Sequence, residues 1–170
     1  MLTPTIPIAP LADLVALRES WRACGLRLVL TNGVFDLLHA GHVGYLQQAR
    51  ALGDLLVVAL NSDASVRAIK GPLRPLSPEG DRAALLVALR CVDYVTIFAQ
   101  PTAEAVVGAL RPEIYVKGGD YALGAGGPPD LARLPEARAV LAYGGVVRLL
   151  PYAAGRSTSE LIRLIVSRYG

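Results

Sequence analysis

The sequence predicts a doubly wound α/β domain, a parallel sheet of about five strands with helices on both faces. Three observations lead there. Five apolar, β-type runs recur along the 170 residues: LRLVLT (26–31), LLVVALN (55–61), YVTIF (94–98), EIYVK (113–117) and VVRLL (146–150). Helical patterns near 10–23, 41–52, 78–90, 102–110, 135–143 and 158–168 alternate with them. The runs are apolar on both faces, as strands covered from two sides are.

Taken in order, residues 1–25 form an N-terminal helical extension ahead of the first strand. Each later strand is separated from the next by helix, so the crossovers are expected to be right-handed. The helix near 78–90 opens on SPEG, with Ser77 as N-cap and Pro78 at the first helical position. The last opens on STSE, where Ser157 and Glu160 have capping-box spacing. The stretch ALGAGGPPDLA (122–132) is rich in Gly and Pro and reads as a loop. No repeat, low-complexity tract or linker divides the chain, so 1–170 is expected to be a single domain.

Composition narrows the function. With 53% hydrophobic and 18% charged residues, the chain reads as globular. No apolar run reaches the length of a membrane span. The opening MLTPTIPIAPLADL has prolines and an acid where an export signal has basic residues and an unbroken apolar core, so a cytoplasmic location is expected. Cys24 and Cys91 are isolated and suit buried packing better than a disulfide framework or a zinc site. A net charge of +3 admits small anionic ligands and falls short of a nucleic-acid-binding signature. Of 17 basic residues only Lys70 and Lys117 are lysines, each before a glycine and expected in a loop. Lysine there serves as a flexible point charge for phosphate.

Sheets of this kind bind ligands outside the carboxyl ends of their strands. The segments after Thr31, Asn61, Lys117 and Leu150 are therefore the places to look. The first contains TNGVFDLLHAGH, which holds both histidines of the chain, His39 and His42. It runs from a strand into a helix whose first N–H groups lack partners, and phosphate fits such a helix start. Gly33 and Gly41 let a ligand approach the backbone. Two imidazoles beside an anion can donate to phosphate oxygens, and a histidine can take up a proton near neutral pH to strengthen the contact. Asp36, His39 and His42 also have a D-x-x-H-x-x-H spacing that suits a transition metal, although a strand-to-helix turn does not ensure that they converge. No P-loop, dinucleotide fingerprint or nucleophile elbow competes.

GVFDLLHAGH resembles the H-x-G-H signature of the nucleotidyltransferase superfamily, in its cytidylyltransferase-like branch. The likeness continues through ALGDLLVVALNSDASVRAIKG, DRAALLVALRCVDYV, RPEIYVKGGDY and GRSTSELI. It is closest to the adenylyltransferase domains of the ADP-heptose synthase family, which make ADP-heptose from ATP and D-glycero-β-D-manno-heptose 1-phosphate. The resemblance implies a Rossmann-like fold. It implies that His39 and His42 bind the phosphates and stabilise the transition state, with Lys70 as a further catalytic donor. Asn32, Gly33, Val34, Phe35, Gly41, Lys117, Gly118, Asp120, Arg156, Ser157, Thr158 and Ser159 are then expected at the nucleotide. Asp36, Lys70 and Arg82 are expected at the acceptor. Mg2+ is expected to accompany ATP, held by phosphate oxygens and water, with no protein side chain as ligand. The expected partners are small molecules, ATP and a sugar phosphate, with neither nucleic acid nor membrane; a homodimer is carried over from the family.

There are departures. Val34 stands where relatives often have a small polar or thiol residue. Cytidylyltransferase relatives carry more lysines after the second strand, and the loop 122–130 is longer than usual. The kinase domain that often precedes this module is not in the chain, which implies a stand-alone transferase or an excised piece. The alternatives are a cytidylyltransferase acting on glycerol 3-phosphate, a non-catalytic nucleotide-binding module, and a metal-dependent hydrolase.

Overall fold

In the computed structural model, the described residues are 7–118, 131, 134–150 and 158–170. In chain order they form α1 (Leu11–Ala23), β1 (Leu28–Gly33), α2 (Ala40–Arg50), β2 (Leu55–Asn61), α3 (Asp63–Lys70), α4 (Glu79–Val87), β3 (Tyr94–Phe98), α5 (Glu104–Leu110), β4 (Ile114–Gly118), α6 (Pro135–Ala142), β5 (Val146–Leu150) and α7 (Thr158–Tyr169). The five strands make one sheet of order β3-β2-β1-β4-β5, and every neighbouring pair is parallel. The chain steps outward from β1 to β3 and then returns to the other side of β1. The order therefore reverses between β1 and β4, which is where an open α/β sheet leaves a crevice.

Alternation along the strands builds the core on both faces. Leu28 and Leu30 of β1 face a cluster with Leu14 and Trp21 of α1 and Val106, Val107 and Leu110 of α5. Val29, between them, faces the opposite cluster with Leu46 and Ala49 of α2 and Ala83 and Leu86 of α4. Each such Leu or Val, wholly removed from water, contributes about 1.5–3 kcal/mol. The N-terminal segment belongs to this core. Ala9 N donates to Val95 O at 3.0 Å, extending the sheet edge beyond β3. The buried Arg18 of α1 donates from Nε to Leu110 O at 2.9 Å and pairs with Glu113.

The structure revises several local expectations. Helix α3 is additional. It is short, and Ser62 caps it by accepting from Ser65 N. Lys70 is thus the last residue of a helix, and Lys117 lies within β4; neither is in a loop. Helix α4 starts one residue later than expected. Pro78 is its extended N-cap, and no side chain caps it. Ser77 is held by its backbone instead, its N–H donating to Asp36 and its carbonyl accepting from Arg82. Cys24 is exposed beyond the end of α1, not buried, and both cysteines are free. The 122–130 loop and the Ser157 cap lie outside the described residues.

Candidate active site

The site is assembled at the carboxyl end of β1. Gly33 ends the strand, and a Cβ there would lie 2.9 Å from Phe35 Cε2. Only glycine lets the Phe35 ring fold back against the chain. Phe35 itself takes φ +47°, a left-handed conformation costly for an aromatic residue, and its burial in the core compensates. Its ring packs 5.2 Å from that of His42. This turn delivers His39 to the N-cap of α2 in an extended conformation.

His39 and His42 are three residues apart, so both rings lie on one side of the first helical turn. They stack with centroids 3.9 Å apart and planes inclined by 24°. No side chain caps α2, and its first turn carries no acid. The N–H of His42 donates back to His39 O at 2.9 Å; the N–H groups ahead of it and the positive end of the helix dipole favour an anion. His42 is pushed down to about pKa 4, first by burial and then by His39. It is neutral at pH 7, which corrects the expectation of ready protonation near neutrality. Its Nδ1 is buried without a hydrogen-bond partner among the described residues.

A second tyrosine-anchored layer fixes α2 over the switch point. Tyr45 Oη lies 2.6 Å from Thr31 Oγ1 and donates to Val116 O at 3.2 Å, so one phenol ties α2 to β1 and β4. On the other side of the crevice, Lys117 Nζ donates to Asn32 Oδ1 at 2.8 Å, and Tyr115 Oη donates to the same oxygen at 2.6 Å. Burial lowers the pKa of Lys117, while Glu136 raises it. Tyr45 and Tyr115 had no sequence signal as site residues, because a tyrosine in an apolar pattern reads as core.

Two residues expected at the acceptor are engaged within the fold. Asp36 accepts from Arg74 Nε at 2.6 Å and from the N–H groups of Leu76 at 2.7 Å and Ser77 at 3.0 Å. Arg82 is wholly buried and donates to Ser77 O at 2.9 Å, Val34 O at 2.6 Å and Asp63 Oδ1 at 2.7 Å. Both brace the segment between α3 and α4 against the histidine turn, Asp36 through both of its oxygens and Arg82 from a wholly buried position. Because Asp36 is turned into this brace, its carboxylate does not complete a metal set with the histidines. No group of three or more metal-ligating side chains occurs among the described residues.

Lys70 is exposed at the end of α3. Val34 is half-buried, and its carbonyl is taken by Arg82. Gly41 lies in the first turn of α2, and Gly118 ends β4. Thr158 and Ser159 begin α7, while Asp120, Arg156 and Ser157 lie outside the described residues.

A parallel sheet with paired imidazoles at an uncapped helix start, set at the strand-order reversal, defines a Rossmann-like domain of the nucleotidyltransferase class. The chain belongs to the cytidylyltransferase-like family, whose model matches residues 30–163. It is 51% identical over 148 residues to the bifunctional protein HldE of Trichlorobacter lovleyi, which covers 87% of this chain and 28% of that protein. The chain thus spans less than a third of the length of that relative. A lipopolysaccharide core biosynthesis protein from Thermoplasma volcanium is 30% identical, with a TM-score of 0.59 over 76% of this chain and 98% of that one. Pantoate–β-alanine ligase from Francisella tularensis, at 12% identity and a TM-score of 0.59 over 91% and 69% of the two chains, shares the fold alone. No described helix is long and apolar enough to cross a membrane.

Proposed function

We propose that the chain is an adenylyltransferase that moves AMP from ATP to a sugar 1-phosphate, D-glycero-β-D-manno-heptose 1-phosphate, releasing pyrophosphate. The observation that carries the reading is the stacked His39–His42 pair at the uncapped start of α2. The choice of acceptor leans on the half-identical relatives named HldE and on the resemblance of NSDASVRAIKGPLRP and VKGGDY to the ADP-heptose synthase branch.

A phosphate oxygen of the acceptor attacks the α-phosphorus of ATP. The new P–O bond forms as the bond from the α-phosphorus to the bridging oxygen breaks, and pyrophosphate leaves with that electron pair. The acceptor is already an anion, so no side chain acts as nucleophile or general base. Catalysis then rests on positioning and on donors aimed at the charge that grows on the leaving oxygen. His39, His42 and the N–H groups of α2 supply those donors. A neutral His42 still donates one N–H. A triphosphate beside it raises its pKa again, which strengthens the contact as charge develops. Lys70, on the exposed end of α3, is free to reach acceptor or leaving phosphates. Magnesium travels with ATP as part of the substrate, held by phosphate oxygens and water. The working location is the cytoplasm, where ATP is available.

Pyrophosphate release, assayed with ATP and CTP against heptose 1-phosphate and glycerol 3-phosphate, tests the reading. Turnover with ATP and heptose 1-phosphate is expected. Turnover confined to CTP and glycerol 3-phosphate contradicts it, and nucleotide binding without turnover on any acceptor reduces the chain to a binding module.

A further inference from the structure

Asn32 and Lys117 stand on the two strands that part at the switch point. The β1–β4 register ends at Thr31 opposite Val116, one residue short of both. Lys117 Nζ and Tyr115 Oη meet at a single atom of Asn32, at 2.8 Å and 2.6 Å. An ammonium only donates, so that atom is the amide oxygen, and the orientation of the amide follows from chemistry. Both lone pairs of Oδ1 are then filled. Nδ2 is what Asn32 has left to offer, and it has no hydrogen-bond partner among the described residues.

Tyr115 makes this orientation rigid. Its side chain is wholly buried in the core beneath the sheet, so its hydroxyl cannot follow a turning amide. Lys117 completes the grip with a longer bond to the Asn32 carbonyl at 3.4 Å, which still leaves one ammonium hydrogen unassigned. What the two side chains have left, among the described residues, is donor hydrogens, beside the turn that leads to the histidines. A ligand atom that only accepts and carries negative charge fits such a pair, and a phosphate oxygen is that atom.

We propose that the Asn32 amide donates to a phosphate oxygen of a substrate, and that Tyr115 is the positioning residue that aims it. This rests on the transferase reading above. The oxygen belongs either to the triphosphate or to the acceptor's phosphate, and kinetics separates the two.

Asn32→Asp is the decisive variant, because the two roles of the amide respond to it in opposite ways. Aspartate keeps the oxygen that Tyr115 and Lys117 grip and adds an ion pair with Lys117. A merely structural Asn32 therefore tolerates the change. A donor Asn32 does not, since aspartate brings a negative charge where the N–H was. Pyrophosphate release is measured with ATP and heptose 1-phosphate each varied in turn, alongside calorimetric titration of α,β-methylene-ATP and thermal melts. The expected result for Asn32→Asp is a melting temperature no lower than wild type and a KM raised about tenfold or more for one substrate. A rise for ATP, with weaker analogue binding, assigns the oxygen to the triphosphate; a rise for heptose 1-phosphate assigns it to the acceptor. Tyr115→Phe is expected to raise the same KM by about threefold or more, with kcat less affected. If neither variant changes either KM in an active enzyme, the proposal fails alone. A wild-type chain that neither binds the analogue nor releases pyrophosphate defeats the transferase reading, and this proposal with it.

Discussion

Arg82 Nη1 donates to the carbonyl of Val34 at 2.6 Å, across the boundary between α4 and the turn that carries the histidines. The same guanidinium holds the first residue of α3 through Asp63 and the segment before α4 through Ser77. The histidine turn, α3 and the segment before α4 thus share one buried cation.

That brace makes Arg82→Ala strongly destabilising. Breaking a buried ion pair costs about 3–5 kcal/mol, so a fall of several degrees or more in melting temperature is expected. Arg82→Lys keeps the charge but cannot reach three diverging acceptors. It is expected to be folded, less stable than wild type and slower in pyrophosphate release. A melt of Arg82→Ala superimposable on wild type contradicts the brace.

The histidines themselves sit half-buried at a helix start, so truncating one leaves the fold intact. His42→Ala and His39→Ala are each expected to lower kcat on the order of a hundredfold or more, the usual cost of losing one donor to a developing charge. Far-ultraviolet dichroism should match wild type. Normal turnover by a well-folded His42→Ala removes its assigned role.

The pH dependence follows from the depressed pKa of His42, about 4 against an ordinary 6.5. Between those values the unfolded chain binds the proton and the folded chain does not. Through this group, stability is therefore full above about pH 6.5 and declines as pH falls toward 4. Nuclear magnetic resonance of the ring protons should show His42 titrating near 4 in the free protein and at higher pH with ATP bound. An unshifted His42 titration in saturating ATP contradicts a phosphate at that ring.

Lys70 offers a contrast, because it is exposed and the fold does not need it. Lys70→Ala is expected to leave the melt within about 0.5 kcal/mol of wild type and to raise KM for the acceptor or lower kcat. Unchanged kinetics would separate Lys70 from the reaction.

The sheet was legible because strands buried on both faces leave a continuous apolar signature, as in LLVVALN (55–61), whatever lies on top of them. The histidine turn was legible because a short H-x-G-H spacing fixes its own geometry at a helix start. Helix α3 was not, because eight residues directly after a strand make only about two turns and are easily absorbed into a loop; Ser62 ahead of Val66 and Ile69 was the available cue. The resemblance put Asp36 and Arg82 at the acceptor, but their brace was not legible because sequence displays charge and conceals burial. Their partners come from residues far along the chain and meet only through the fold. Tyr45 and Tyr115 were hidden for the opposite reason, since their rings belong to the core and only their hydroxyls serve the site.

The most direct measurement is a crystal structure of the protein with α,β-methylene-ATP and magnesium. The expected result places phosphate oxygens within hydrogen-bond distance of both His39 and His42, against the first N–H groups of α2. A fully occupied analogue whose phosphates lie elsewhere, with the two rings still stacked on each other and touching none of them, contradicts the assignment of this site.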